Sequence, residues 1–165
     1  MKNPRIAAQA RIATPLGPLT VAATDQGLAG AWFDGQAHHP GPIDVPVDDR
    51  HPQIVRAAQA LQAYFSGRPG AFTLPLDAEG TAFQRAVWQS LCQIAPGATV
   101  TYGEIAQRIG KPAAVRAVGA AVGRNPISII VPCHRVIGRD GSLTGYAGGL
   151  PRKQALLAHE KGAPA

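Results

Sequence analysis

Residues 101–126, "TYGEIAQRIGKPAAVRAVGAAVGRNP", read as two helices around a tight turn. Thr101-x-x-Glu104 has capping-box spacing, in which a hydroxyl satisfies the first turn and a carboxylate reaches back. That first helix is expected to end at Gly110. Lys111-Pro112 makes the turn, because proline is pre-set for a helix start and lacks an amide that would be unpaired there. The second helix, about 113–123, is Ala, Val and Gly apart from Arg116. This is a helix-turn-helix outline. A helix so smooth can press closely on a packed core or on a partner. Arg116 argues against complete burial, since an unpaired buried guanidinium is costly.

Directly downstream, "IIVPCHRVIG" (129–138) sets Cys133 between Pro132 and His134, inside two apolar runs. An unperturbed thiol is only a few per cent ionised at neutral pH, so a nucleophilic cysteine needs a base within reach. His134 is such a base. The other cysteine, Cys92, sits one residue off the apolar stripe Phe83, Val87, Leu91 of a helix opened by the Thr81/Gln84 capping box. It has no basic neighbour in sequence and reads as packing. Two cysteines make neither a disulfide framework nor a zinc-type pair, which fits a reducing, cytoplasmic setting.

Further on, "GRDGSLTGYAGGLP" is a glycine-rich loop suited to the wall of a pocket. "PRKQALLAHEKG" follows as a helix, with Lys153, Leu156, Leu157 and Glu160 on one face. Glu160 lies at the helix C-terminus, where the macrodipole disfavours a negative charge. A carboxylate so placed calls for a partner.

The N-terminal half has a different character. "GPLTVAAT" and "LAGAWF", joined by "DQG", read as a β-hairpin. Residues 34–52 hold four prolines and no periodicity, hence a loop in which His38, His39 and His51 are exposed and form no metal site. Ile54, Ala58, Leu61 and Phe65 mark the inner face of a helix ending at Gly67, and "AFTLPL" (71–76) reads as an edge strand. Charge divides the chain as well. Residues 1–80 carry six Lys/Arg against seven Asp/Glu, whereas residues 81–165 carry ten against three. A net of −1 beside a net of +7 points the second half towards a polyanion, with nucleic acid the best candidate. The first thirty residues have no continuous apolar core of a leader, and no apolar run is long enough to span a membrane.

Taken together, "TYGEIA", "AVRAVGAAVGRNP", "ISIIVPCHRVIGRDGSLTGYAGGL" and "RKQALLAHE" resemble the O6-alkylguanine-DNA alkyltransferases, also called methylated-DNA–protein-cysteine methyltransferases. The resemblance is dense over about residues 80–161. It is looser before that, through "TPLGPLTVAAT" and "YFSG". It implies an α+β fold of the stand-alone, constitutive type: a small N-terminal α/β lobe of ribonuclease-H-like appearance with a short antiparallel sheet (1–79), then an all-α domain carrying the helix-turn-helix (80–165). It also implies irreversible transfer of the alkyl group from O6-alkylguanine, and by extension O4-alkylthymine, to Cys133. Each molecule would act once, as a monomer and without cofactor or metal. Relatives fused to a regulatory domain would need a much longer chain.

By that resemblance His134 draws the proton from the thiol through a water, and Glu160 orients the imidazole. Tyr102 hydrogen-bonds the departing guanine and crowds the target phosphate, while Asn125 ties the recognition helix to the active-site segment. The lesion must leave the base stack before it can react. Arg116 matches the finger that fills the vacated place. The smooth helix would enter the minor groove of double-stranded DNA, which is too narrow for large side chains. Thr101, Gly103 and Lys111 match phosphate contacts. Val136, Tyr146, Ala147 and Gly148 match the pocket for the flipped base, and Ser128 a pocket-edge position. Three alternatives compete: a non-repairing alkyltransferase-like protein, which would lack Cys133; a helix-turn-helix transcription regulator; and a Cys-His hydrolase, which leaves the basic half without a role.

Overall fold

A computed structural model describes residues 3–68 and 72–162. The N-terminal lobe is built on a three-stranded antiparallel sheet: β1 (Ala8–Ile12), β2 (Leu19–Ala23) and β3 (Leu28–Phe33), in that spatial order. β2 and β3 form the expected hairpin, with an irregularity at Ala22/Ala23. β3 is buried along its whole length because both of its faces are covered. Helix α1 (Pro52–Phe65) packs on the sheet through Ile54, Ala57, Leu61 and Tyr64. This face is rotated slightly from the expected Ile54, Ala58, Leu61, Phe65 set. Ala58 and Phe65 are only half-buried, and Tyr64 turns inward because its hydroxyl finds a buried acceptor.

Two further expectations for this lobe are corrected. No regular strand forms over 72–76, and Ala71 lies outside the described residues. The segment instead makes an isolated parallel bridge between Leu76 and Leu28. Pro75 has no amide hydrogen to continue a ladder, yet its carbonyl accepts from the Leu28 amide at 3.0 Å. His51 is no idle loop residue: its ring caps α1 by accepting from the Gln53 amide at 3.3 Å.

The second half opens with α2 (Ala82–Leu91), whose capping box between Thr81 and Gln84 is complete. The Trp88 indole donates to the Ala121 carbonyl at 2.8 Å and so fixes α2 against a later helix. Cys92, expected to pack, is exposed at the helix end, and partial desolvation raises its thiol pKa. A two-residue strand β4 (Val100–Thr101) leads into α3 (Tyr102–Arg108), capped by the Thr101 hydroxyl accepting from the Glu104 amide at 3.2 Å. Then α4 (Val115–Gly123) crosses α3. It starts two residues later than expected. Lys111–Ala114 closes as a turn by a 2.9 Å Ala114-to-Lys111 bond, so the turn expected at Lys111-Pro112 extends through residues 113 and 114. A short parallel pairing of β4 with β5 (Val136–Ile137) and the helix α5 (Leu150–Glu160) complete the domain. Both halves contribute to one continuous core.

Leu61 is buried in that core. Replacing it with alanine is expected to lower the unfolding free energy by about 2–5 kcal/mol, read from urea denaturation.

Candidate active site

The segment between α4 and β5 is neither helix nor strand. Asn125, directly after α4, receives the Ile127 amide on its Oδ1 at 2.9 Å and donates its Nδ2 to the Val131 carbonyl at 2.8 Å. The chain therefore folds back over its own helix end. Within this loop the fully buried Ile129 has φ +72. A β-branched residue in that region stores strain, about 1–3 kcal/mol, that surrounding packing must hold in place. Pro132 then caps a single 3-10 turn, Cys133–Arg135. In an extended strand Cys133 and His134 would face opposite sides; the turn removes that alternation.

His134 is wholly buried, and its Nε2 lies 2.6 Å from Glu160 Oε2. Glu160 is the last residue of α5 and its side chain is almost inaccessible. It collects more partners than the sequence announced. Arg135 grips it with Nε at 2.7 Å and Nη2 at 3.0 Å, and the Tyr64 hydroxyl donates to it at 2.6 Å. Burial alone would raise the pKa of this carboxyl. The hydrogen bonds from His134, Arg135 and Tyr64 outweigh burial and hold it well below the usual carboxylate range. Burial and the Glu160 charge together push the Tyr64 hydroxyl upward, so it remains a donor.

With an ionised Glu160 accepting from Nε2–H, the imidazole is held as the tautomer whose Nδ1 carries a lone pair. Nδ1 is buried and has no protein partner among the described residues. Burial lowers the His134 pKa despite Glu160, so the ring is neutral and able to accept a proton. Burial also raises the Cys133 thiol, opposed by the Asn125 amide and the charge of Lys153. The resting group is therefore a thiol, with a neutral base next to it in the chain and two groups nearby that favour the thiolate.

Lys153 is a feature whose role sequence reasoning missed. It is fully buried, and its ammonium donates to the carbonyls of Val136 at 2.6 Å and Thr144 at 2.8 Å. It pins β5 to the glycine-rich loop. Its burial signal was present, since it shares a helix face with Leu156, but nothing in sequence named its acceptors. Arg135 and Tyr64 were likewise passed over. Arg135 stood in plain view beside His134, whereas Tyr64 lies in the other lobe and carries no local mark.

In front of Cys133 lies a cavity of about 290 Å³, walled by Tyr102, Tyr146 and Ala147 and by the small residues Gly119 and Gly123 of α4. The Tyr102 hydroxyl lies 3.0 Å from Thr144 Oγ1. Burial raises the Tyr146 hydroxyl well above its ordinary pKa. Gly148 is buried, and a Cβ there would come within 2.6 Å of the Tyr146 ring. Val136 is fully buried in β5. Ser128 is buried too, its hydroxyl donating to Gln36 Oε1 at 3.2 Å, so it touches the N-terminal lobe instead of lying open at an edge.

Arg116 stands exposed on α4, whose outer face also presents Ala117 and Ala120, while Val118, Ala121 and Val122 are buried. Lys111 is exposed in the preceding turn, and Thr101 and Gly103 lie half-buried at the start of α3. Arg116 and Lys111 are thus brought to the surface of the helix pair, apart from the buried Cys133–His134–Glu160 array. Among the described residues no group of three or more His, Cys, Asp or Glu side chains could hold a metal ion.

Comparison with known proteins bears on both halves. Residues 9–78 match the ribonuclease-like domain of 6-O-methylguanine DNA methyltransferase, and residues 82–162 match its DNA binding domain. A methylated-DNA–protein-cysteine methyltransferase of Methanosarcina barkeri is 50% identical over 153 residues, covering 91% of this chain and 94% of the relative. The Haemophilus influenzae protein of the same name is 45% identical over 149 residues, covering 90% and 83%. Among solved structures, Mycobacterium tuberculosis OGT in complex with DNA superposes with a TM-score of 0.87 at 46% identity, covering 96% of each chain. With both domains matched in order and the cysteine, imidazole and carboxylate assembled beneath an open cavity, this chain belongs to the 6-O-methylguanine DNA methyltransferase family.

Proposed function

We propose that Cys133 is the acceptor in direct reversal of DNA alkylation, taking the alkyl group from O6-alkylguanine. One observation carries this reading: a buried thiol faces a cavity and adjoins an imidazole fixed by an ionised carboxylate. DNA repair by cysteine methyltransfer is the activity of the family to which the chain belongs.

The sulfur attacks the alkyl carbon as the carbon–oxygen bond breaks, and the electron pair leaves on guanine. His134 Nδ1, the free acceptor of the ring, takes the thiol proton directly or through a water. Glu160 supports the imidazolium that results, as in other nucleophile–base–orienter sets. Tyr102, on the cavity wall, donates a hydrogen bond to the departing guanine. The new thioether resists water at neutral pH, so one molecule repairs one lesion. O4-alkylthymine presents the same kind of electrophilic carbon and is a second substrate.

The lesion arrives flipped out of duplex DNA. Exposed Arg116 fills the place it leaves, and the smooth face of α4 suits the narrow minor groove. Lys111, with Thr101 and Gly103 at the start of α3, binds phosphates. Val136, Tyr146, Ala147 and Gly148, with Ser128 behind them, shape the base pocket, and Asn125 couples α4 to the cysteine loop. The protein works as a monomer on DNA in a reducing cytoplasm, where Cys133 stays a free thiol. No helix among the described residues is long and apolar enough to cross a membrane, and no membrane partner enters this scheme.

The direct test is intact-mass measurement after incubation with an O6-methylguanine duplex. Native protein is expected to gain the mass of one CH2 unit at Cys133 and no more on longer incubation. Absence of that gain, or an adduct at Cys92, refutes the assignment. Arg116→Ala is expected to slow transfer from duplex DNA by about tenfold or more, equivalent to about 1.4 kcal/mol, while transfer from free O6-benzylguanine stays near the parent rate.

Glu160→Gln is expected to destabilise the fold by about 3–5 kcal/mol at pH 7, because it leaves Arg135 buried without its counter-charge. The folded-state pKa values of His134 and Glu160 both lie below their ordinary 6.5 and 4.5. The unfolded chain therefore binds more protons, and stability falls as pH is lowered, first through the His134 range and then below 4.5. Urea denaturation at a series of pH values should show that the Gln variant loses the second part of this decline.

A further inference from the structure

The wall of the lesion cavity is not made by the C-terminal domain alone. Ala37 and His38, from the loop after β3, line it together with Gly119 and Gly123 of α4. The loop is tightly held. The Ala37 amide donates to the Ala147 carbonyl at 2.9 Å, joining it to the glycine-rich loop. Gln36 is buried, and its Oε1 accepts from the Phe33 amide at 2.8 Å and from the Ser128 hydroxyl at 3.2 Å. His38 itself has φ +59, a left-handed backbone that non-glycine residues adopt uncommonly. Such a conformation persists where the surroundings fix it, and these bonds do so.

His38 also lies on the wall of a second cavity of about 310 Å³, shared with Trp32, Trp88 and Asn125. His38, itself exposed, is therefore common to the walls of two spaces of similar size, one of which Cys133 also lines. We propose that His38 is a specificity-determining residue: its ring partitions the lesion cavity from its neighbour and limits the size of the alkyl group that Cys133 can accept. This rests on the assignment of Cys133 as acceptor. A methyl group needs only the first space. A benzyl group benefits if the partition is removed, because the neighbouring cavity adds room bounded by aromatic side chains. The N-terminal lobe thereby takes part in substrate selection, although it carries none of the reacting groups.

The test compares single-turnover transfer from O6-methylguanine and O6-benzylguanine duplexes by wild type, His38→Gly and His38→Trp. Glycine removes the ring and accepts the left-handed backbone without strain. His38→Asn, which also tolerates that backbone, serves as a second ring-removing variant should glycine loosen the loop. The expected result is a benzyl-to-methyl rate ratio at least about fivefold higher in the Gly and Asn variants, a change of about 1 kcal/mol, and lower in Trp. Free O6-benzylguanine should follow the same order. A ratio within about twofold of wild type in all three variants overturns the proposal. So does an equal loss on both duplexes with no change on the free base, which would mark His38 as a DNA contact. Wild-type protein inactive on both adducts would instead remove the acceptor assignment, and this proposal with it.

Discussion

The Glu160 carboxylate is the point on which the active site hangs. It lies at the negative end of α5, almost without solvent, a position that by itself penalises ionisation. Donors from two parts of the chain reverse the balance: Arg135 twice and His134 once from the 3-10 turn, and Tyr64 once from α1. The ionised state then sets the imidazole tautomer, and the tautomer decides which ring nitrogen can take a proton. Tyr64 belongs to the N-terminal lobe, and its backbone carbonyl also lies 2.7 Å from His159 Nε2. The N-terminal lobe thus helps hold the carboxylate that fixes the His134 imidazole.

Much of this could be read from the amino acids, for a physical reason. The hairpin, the complete capping box at Thr81, the hydroxyl cap at Thr101 (where the Glu104 carboxylate does not reach back), and the small-residue helix are local patterns whose causes lie within a few residues of each other. Glu160 was legible as a group in need of a partner because the macrodipole argument is local too. What escaped were the long-range acceptors and donors. Tyr64 reaches across 96 positions to Glu160. Lys153 finds carbonyls on β5 and the glycine-rich loop that only the folded loop presents. Proline marked the turn at Lys111–Pro112 correctly but not where the next elements begin. The turn runs on to Ala114, so α4 starts at Val115 and not at 113, and residues 72–76 form a bridge where a strand was expected. Cys92 shows the limit of stripe counting, since one position past the last buried residue was already surface.

The cysteine loop itself conflicts with backbone preference. Ile129 is left-handed and Cys133 begins a 3-10 turn whose amide bonds back to Val131 at 2.8 Å. Neither geometry is cheap. Asn125 offsets part of the cost by serving both ends of the loop, and apolar burial of Ile127, Ile129 and Ile130 supplies more. The result is a fixed thiol on an irregular segment, held by the regular elements around it.

Because Glu160 draws together residues 64, 134 and 135, the order of synthesis also matters. A ribosome makes Cys133 well before α5 leaves its exit channel. During that interval His134 lacks the group that fixes its tautomer, and Arg135 lacks its counter-ion. The nascent thiol is consequently unprimed until the second half can dock on the first. The imidazole is thus fixed only once α5, near the end of the described chain, has docked against α1 and the 3-10 turn.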